Sequence, residues 1–329
     1  MQKPRRSLIG SMFGQKILLI TPIVKWYLNH GLQVTRIYQV IEYSPESCFR
    51  VFGEAVSNAR RAGDSDPSKA IIADTMKLIG NSSYGKTITN REKHTNVKLG
   101  DASTSSRMIN SSTFRDLNFI ADDCYEVELA KSTIKMDLPI QIGLFVYQYA
   151  KLRMLQFYYD YLCKFFDVNK WEYVEMDTDS AYISTAGNRL EDILKPDMTE
   201  TFHNEKHFWF PREDTEENKR FDKRTPGLFK VEWQGDGIIA LSSTMYYCFG
   251  GIKEDKLSCK GVNKKRNHID KELYENVLAT RQTSSCENKG FRVKDNQMYT
   301  YSLRKDAFTY FYPKRKVLED GITTTYLDI

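Results

Sequence analysis

Histidine, cysteine and proline are scarce in this chain of 329 residues, at five, six and nine. The cysteines, Cys48, Cys124, Cys163, Cys248, Cys259 and Cys286, include no CxxC pair, and no Cys/His cluster has the spacing of a zinc site. That excludes a disulfide scaffold and a structural zinc fold, and it fits free thiols in a reducing compartment. With 18 Gly and 9 Pro the composition is neither collagen-like nor disordered over most of its length. Long hydrophobic runs are missing too. Ile17–Val24 is too short to span a bilayer, and Lys151, Arg153, Asp160 and Lys164 interrupt Leu144–Phe166. No sustained apolar segment with a cleavage site follows the basic Met1–Arg6. The expectation is an intracellular protein, nuclear or cytoplasmic, with no membrane partner.

What is present is an ordinary globular balance, 41% hydrophobic and 28% charged, with 20 Tyr as its unusual part. Tyrosine suits half-wet surfaces, where the ring packs and the hydroxyl reaches water or a ligand. The net charge of +5 is unevenly placed. Residues 251–329 hold 16 Lys/Arg against 11 Asp/Glu, whereas the first 250 residues hold 32 of each sign. A basic C-terminal quarter beside a neutral body fits a polyanionic partner and equally an ordinary solvated surface.

Patterning predicts a mixed α/β (α+β) chain. A helix is expected near Pro22–His30, with Gly31 at its C-terminal cap, then a strand near Val34–Glu42. Residues 47–62 read as a helix, and Gly63-Asp64-Ser65-Asp66-Pro67 as a turn. A second helix follows, with Ser65 or Asp66 as N-cap and Pro67 at its first position, running to about Ile79. Residues 94–118 read as a loop with short strands, and 119–136 as strands. A long amphipathic helix is expected over Pro139–Phe166, and a hairpin over Trp171–Ser184 with its turn at Asp177-Thr178-Asp179. Residues 187–226 read as loops with short helices, and 228–262 as strands.

Two segments carry chemistry. Asp177-Thr178-Asp179-Ser180 puts two acids at a hairpin tip. Such a pair repels itself unless a proton or a cation intervenes, and Mg²⁺ (or Mn²⁺) is content with one or two carboxylates plus phosphate oxygens. A plain acidic turn is the bland alternative. In the second segment, Lys69 and Lys77 lie two helical turns apart and Tyr84 two turns beyond Lys77. Ammonium groups followed by a ring suit a triphosphate and its base or sugar. Arg60 and Arg61, on the partner helix, would add charge to the same cleft.

Taken together, the run from Lys77 through Asn81, Ser82, Tyr84 and Gly85, and DTDS after it with a long helix between them, resembles motifs B and C of the family B DNA polymerases. Ile17–Glu42 and Asp137–Tyr161 resemble most closely the protein-primed branch, which includes polymerases of linear plasmids and Maverick/Polinton-type mobile elements. The resemblance covers roughly residues 15–262. It implies a palm with an antiparallel sheet (1–46 and 93–250), a helical fingers hairpin (47–92) and a thumb-like basic lobe (251–329).

The resemblance also implies roles. Asp179 would bind the catalytic metal, with Asp177 in support. Lys77 would contact the phosphates of the incoming dNTP, while Asn81 and Tyr84 line the nascent base pair and Gly85 allows close approach. Tyr246 falls where the family touches the primer–template, although Thr244 occupies the position expected to be basic. Lys260-Gly261 resembles a primer-contacting element at the palm–thumb border. The implied reaction is magnesium-dependent nucleotidyl transfer to a primer 3′-hydroxyl in DNA replication, with primer–template DNA, dNTP and a terminal priming protein as partners.

One departure stands out. No Asp followed by an SLYP- or NLYG-like run precedes Lys77, so the resemblance implies a chain without the carboxylate that family takes from its motif A and without its exonuclease domain. The sequence is expected to begin inside the palm and to polymerise poorly alone. The alternatives are a catalytically inactive remnant that still binds DNA or nucleotide, a nuclease using Asp177, Asp179 and Glu175, and a structural protein.

Overall fold

The computed structural model describes residues 16–242, 244–264, 266–294 and 297–310, with two further short strands, Arg315–Val317 and Thr324–Tyr326. Helix α1 (Thr21–Asn29) takes Pro22 in its first turn, where a missing N–H costs nothing, and stops before Gly31, whose φ is +85°. Its Ile23, Trp26 and Tyr27 are buried with Leu152 and Leu155 of a later helix.

The predicted strand at Val34–Glu42 does not form. The segment runs without a ladder, and Val34, Ile37, Tyr38, Val40 and Ile41 are all exposed. Alternating apolar residues favour an extended backbone. A strand still needs a neighbour for its N–H and C=O groups, and no described strand lies beside this one.

Helices α2 (Arg50–Ser65) and α3 (Ala70–Thr87) form the expected hairpin across a single 3₁₀ turn, Pro67–Lys69. Asp66 caps that turn by accepting the Ser68 N–H at 3.0 Å, and Pro67 opens it. The interface is made of small residues: Gly63 lies against Ala73, and a Cβ at Gly80 would stand 3.2 Å from Val56. Close packing offsets the propensity cost of glycine, about 1 kcal/mol each, so α3 continues to Thr87, beyond the predicted end near Ile79.

The Ser/Thr-rich stretch expected to be mostly loop folds into β1 (Thr95–Gly100), α4 (Ala102–Ile109) and β2 (Phe114–Ala121). Asp101 caps α4 through the Thr104 N–H at 2.7 Å. With β3 (Cys124–Ala130) they make an antiparallel sheet ordered β1-β3-β2, whose Val127 and Leu129 are buried.

Helix α5 (Ile140–Gln156) passes through a π-helical turn, Phe157–Leu162, into α6 (Cys163–Phe165), so the long predicted helix is one continuous run. Gly143 is where α3 ends against α5, close to Thr87 and Ile88. The far end of the run carries the aromatic core: Phe157, Tyr161, Phe165 and Phe166 pack with Trp209 and with Phe202 of α7 (Thr199–Glu205). After α8 (Glu216–Asp222), Arg224 pairs with Asp64 at 2.7 and 2.5 Å, docking the 221–225 segment on the end of α2.

Strands β4 (Trp171–Asp177) and β5 (Ser180–Thr185) form the predicted hairpin, resting on the π-helical turn where Tyr158 meets Trp171 and Tyr173 at 5.5 and 5.4 Å between ring centres. A second antiparallel sheet contains β6 (Gly237–Ser242), β7 (Met245–Phe249) and β8 (Lys256–Cys259). Residues 228–236, predicted as strand, have no regular structure. Helix α9 (Lys271–Thr280) covers this sheet with Tyr274 and Val277, and a long ribbon, β9 (Ser284–Lys294) with β10 (Gln297–Phe308), adds Cys286 and Phe308 to the same core. The molecule is therefore mixed α/β with several small antiparallel sheets. Among the described residues no helix is long and apolar enough to cross a membrane.

Candidate functional site

Asp177 ends β4 and pairs with Ser180, so the turn proper is Thr178-Asp179. A two-residue hairpin turn needs positive φ, normally from Gly or Asn, yet Thr178 stands there at +53°. A β-branched residue in that region is a steric outlier, and such outliers cluster at functional sites. The Thr178 hydroxyl donates to Asp177 Oδ1 at 3.1 Å, and Ser180 Oγ donates to the Asp177 carbonyl at 3.2 Å. Both tip carboxylates are exposed, and the Asp179 side chain makes no hydrogen bond or ion pair among the described residues.

Beside this tip lies the turn between β6 and β7. Thr244 has φ +65°, a second β-branched residue in the left-handed region. Its N–H donates to Glu175 Oε1 at 2.8 Å. Glu175 is buried, and burial pushes its carboxyl pKa up; the Thr244 N–H opposes the shift and the nearby Asp177 charge adds to it. Its cross-strand partner Tyr182 puts its hydroxyl 2.5 Å from that of Tyr246. Burial raises both phenol pKa values; their hydrogen bond raises that of Tyr246 further and lowers that of Tyr182. Two residues of one hairpin thus grip two residues of the other, and Lys256 lies 5.2 Å over the Tyr182 ring.

The ladder carries this geometry to the next candidate residues. Met245 pairs with Cys259, so Lys260 and Gly261 emerge beside the Thr244 turn. Gly261 needs its lack of a side chain: φ is +81°, and a Cβ would stand 2.8 Å from Lys305 Nζ. Asn288 of β9 donates to the Gly261 carbonyl at 2.7 Å, tying the loop to the ribbon. Lys260 is exposed.

The fingers-side candidates gather elsewhere on the long helical run. Tyr84 meets Tyr147 of α5 edge-on at 6.0 Å, and Lys77 and Asn81 are exposed one to two turns earlier on α3. Gly85 sits in the last turn of α3 with open space around its α-carbon. Lys69 belongs to the 3₁₀ turn and pairs with Asp66 at 3.4 Å. Arg61 is occupied within the chain, donating to the Phe221 carbonyl at 3.0 Å and to Thr225 Oγ1 at 3.3 Å while stacking on Phe221. Arg60 is half-buried; burial, then the neighbouring Arg224, lowers its pKa. No hydrogen bond, ion pair or ring contact among the described residues joins α3 to the hairpin tip; both elements rest on the α5 run, one at each end.

Oxygen donors at the tip suit a hard cation. Asp177 and Asp179 are two exposed carboxylates, the number Mg²⁺ takes when water and phosphate fill its other positions. Glu175, the third acid of the nuclease reading, is committed to the Thr244 amide. Among the described residues no group of three or more His, Cys, Asp or Glu is placed to hold a metal ion. The Glu175–Thr244 bond and the Tyr182–Tyr246 pair have no sequence motif; the one signal was the alternation of Glu175 with Asp177 on a strand. No family model, curated protein or solved structure matches this chain.

Proposed function

We propose that this chain is the palm, fingers and thumb-like portion of a family B DNA polymerase of the protein-primed type, and that it holds primer–template DNA and an incoming dNTP for nucleotidyl transfer. The observation that carries the reading is the lateral docking of two strained hairpin turns. It brings Asp177, Asp179 and Lys260 onto neighbouring turns, with Tyr246 buried in β7 beneath them, although they come from separate parts of the chain. The mixed α/β architecture and the α2–α3 hairpin with its exposed Lys77 are compatible with it.

In this reading Asp177 and Asp179 hold Mg²⁺ or Mn²⁺, which when bound would stabilise charge on the reacting phosphate and on the attacking and leaving oxygens. The chain's own groups do the remaining work. Lys77 offsets triphosphate charge from α3, and Asn81 and Tyr84 line the base pair. Lys69 and Arg60 add positive charge at longer range, whereas Arg61 would have to leave Phe221 and Thr225 to join them. Lys260 contacts the primer backbone and Gly261 lets that strand approach the main chain, whereas Tyr246, buried with its hydroxyl on that of Tyr182, would have to leave that bond to touch DNA. A terminal priming protein is the proposed protein partner.

A second reading, binding without turnover, is favoured for the isolated chain because its tip offers two carboxylates from a single hairpin. The test is fluorescence anisotropy of a labelled primer–template with and without Mg²⁺, paired with primer extension, using a double Asp177→Asn, Asp179→Asn variant as control. Binding tightened by Mg²⁺ in the native chain and not in the variant supports the function. Absence of binding, or binding indifferent to both, overturns it. Extension well above the control would show that the chain also turns over.

A further inference from the structure

Glu175 is a long acidic side chain on a mostly apolar strand, and it is buried at 9% exposure with no cation beside it among the described residues. A buried carboxylate with no cationic partner is expensive unless hydrogen bonds replace its water. Here the replacement is the main-chain N–H of Thr244, at 2.8 Å and 69 residues away in the chain. Directly across the ladder, Tyr182 reaches Tyr246, two residues beyond Thr244. Asp177 lies two residues beyond Glu175 on the same face of β4, the face turned to the second hairpin. The two turns so joined both hold a threonine at positive φ, a conformation that persists only where surrounding contacts enforce it.

We propose that Glu175 is a positioning residue that locks the Asp177–Asp179 tip to the Thr244 turn, and so sets the tip's distance from Tyr246 and Lys260, without itself ligating metal. The inference deepens the polymerase reading and rests on it for its consequence: a cation held at the tip and a DNA strand held at Lys260 bind cooperatively because the two hairpins move as one. Glutamine at this position keeps the acceptor oxygen and the shape. Alanine removes both.

The test uses the full chain with Glu175→Gln and Glu175→Ala. Hydrogen exchange at the Thr244 amide reads the lock directly: protection persists in Glu175→Gln, and exchange is about tenfold faster in Glu175→Ala, as expected for a lost bond to a charged acceptor. Mn²⁺ titrated alone, followed by electron paramagnetic resonance, reads metal ligation, and both variants keep the native affinity. Primer–template affinity with and without Mn²⁺ reads the coupling, which Glu175→Gln retains and Glu175→Ala loses. Native protection in Glu175→Ala, equal loss of protection in both variants, or a fall in Mn²⁺ affinity in Glu175→Gln overturns the proposal. If Glu175→Ala does not fold, Mn²⁺ affinity and coupling in Glu175→Gln still decide between positioning and ligation. If the native chain binds no primer–template, the polymerase reading falls, while the exchange and Mn²⁺ arms still decide the role of Glu175.

Discussion

Asp222 is a buried acid held by a single arginine. Only 5% exposed, it accepts the Arg212 backbone N–H at 3.0 Å, Nε at 2.7 Å and Nη2 at 3.0 Å. The Arg212 side chain, first among the causes, holds the carboxyl pKa below its ordinary value. A pKa depressed in the folded state stabilises fully above the unfolded value of about 3.9 and is lost as pH falls through the folded value. Arg212→Ala is therefore expected to lower stability near neutral pH, with the gap to the native chain narrowing below about pH 4. Urea denaturation at several pH values measures both. At this scale the tip acids were readable from DTDS because a hairpin is a local object. The fate of Glu175 was not, since its acceptor role depends on an amide 69 residues away.

Among elements, the helical hairpin announced itself through its turn: Asp66-Pro67 satisfies an orphan N–H from within a few residues, information that a local reading contains. Asp101 caps α4 in the same way, yet that helix reads as loop in the sequence because its run of Ser and Thr carries no apolar periodicity. The strand expected at Val34–Glu42 followed the same kind of local pattern and failed, because a ladder is a relation between two segments. The crossing of α3 and α5 is also a relation, and Gly143 makes it possible: a Cβ there would overlap the Ile88 side chain and stand 3.0 Å from Thr87 Oγ1. Gly143→Ala is expected to destabilise the protein by about 1–3 kcal/mol through overpacking, despite alanine's better helix propensity. A rise in the urea midpoint would contradict this crossing.

For the whole molecule, charge placement has a measurable consequence. In the proposed reading, the neutral first 250 residues and the basic remainder would make the C-terminal lobe the main source of phosphate affinity. Lys260 is exposed at the edge of that lobe, beside the Thr244 turn. Lys260→Ala is expected to weaken DNA binding about equally across sequences and to reduce the slope of log affinity against log salt by about one. Anisotropy titrations between low and moderate salt test this, and an unchanged slope would place Lys260 away from the DNA backbone.

The amino-acid order alone determined the helical hairpin, the long helix before DTDS, the acidic tip and the basic C-terminal quarter. Each depends on caps, periodicity or composition within a short stretch. Tertiary structure alone decided that Glu175 is spent on the Thr244 amide, that Arg61 is held by Phe221 and Thr225, and that Val34–Glu42 has no neighbouring strand among the described residues. Those outcomes depend on which distant backbone groups come within hydrogen-bonding distance once the core has packed, and a bond of about 3 Å between remote segments leaves no periodic trace in either.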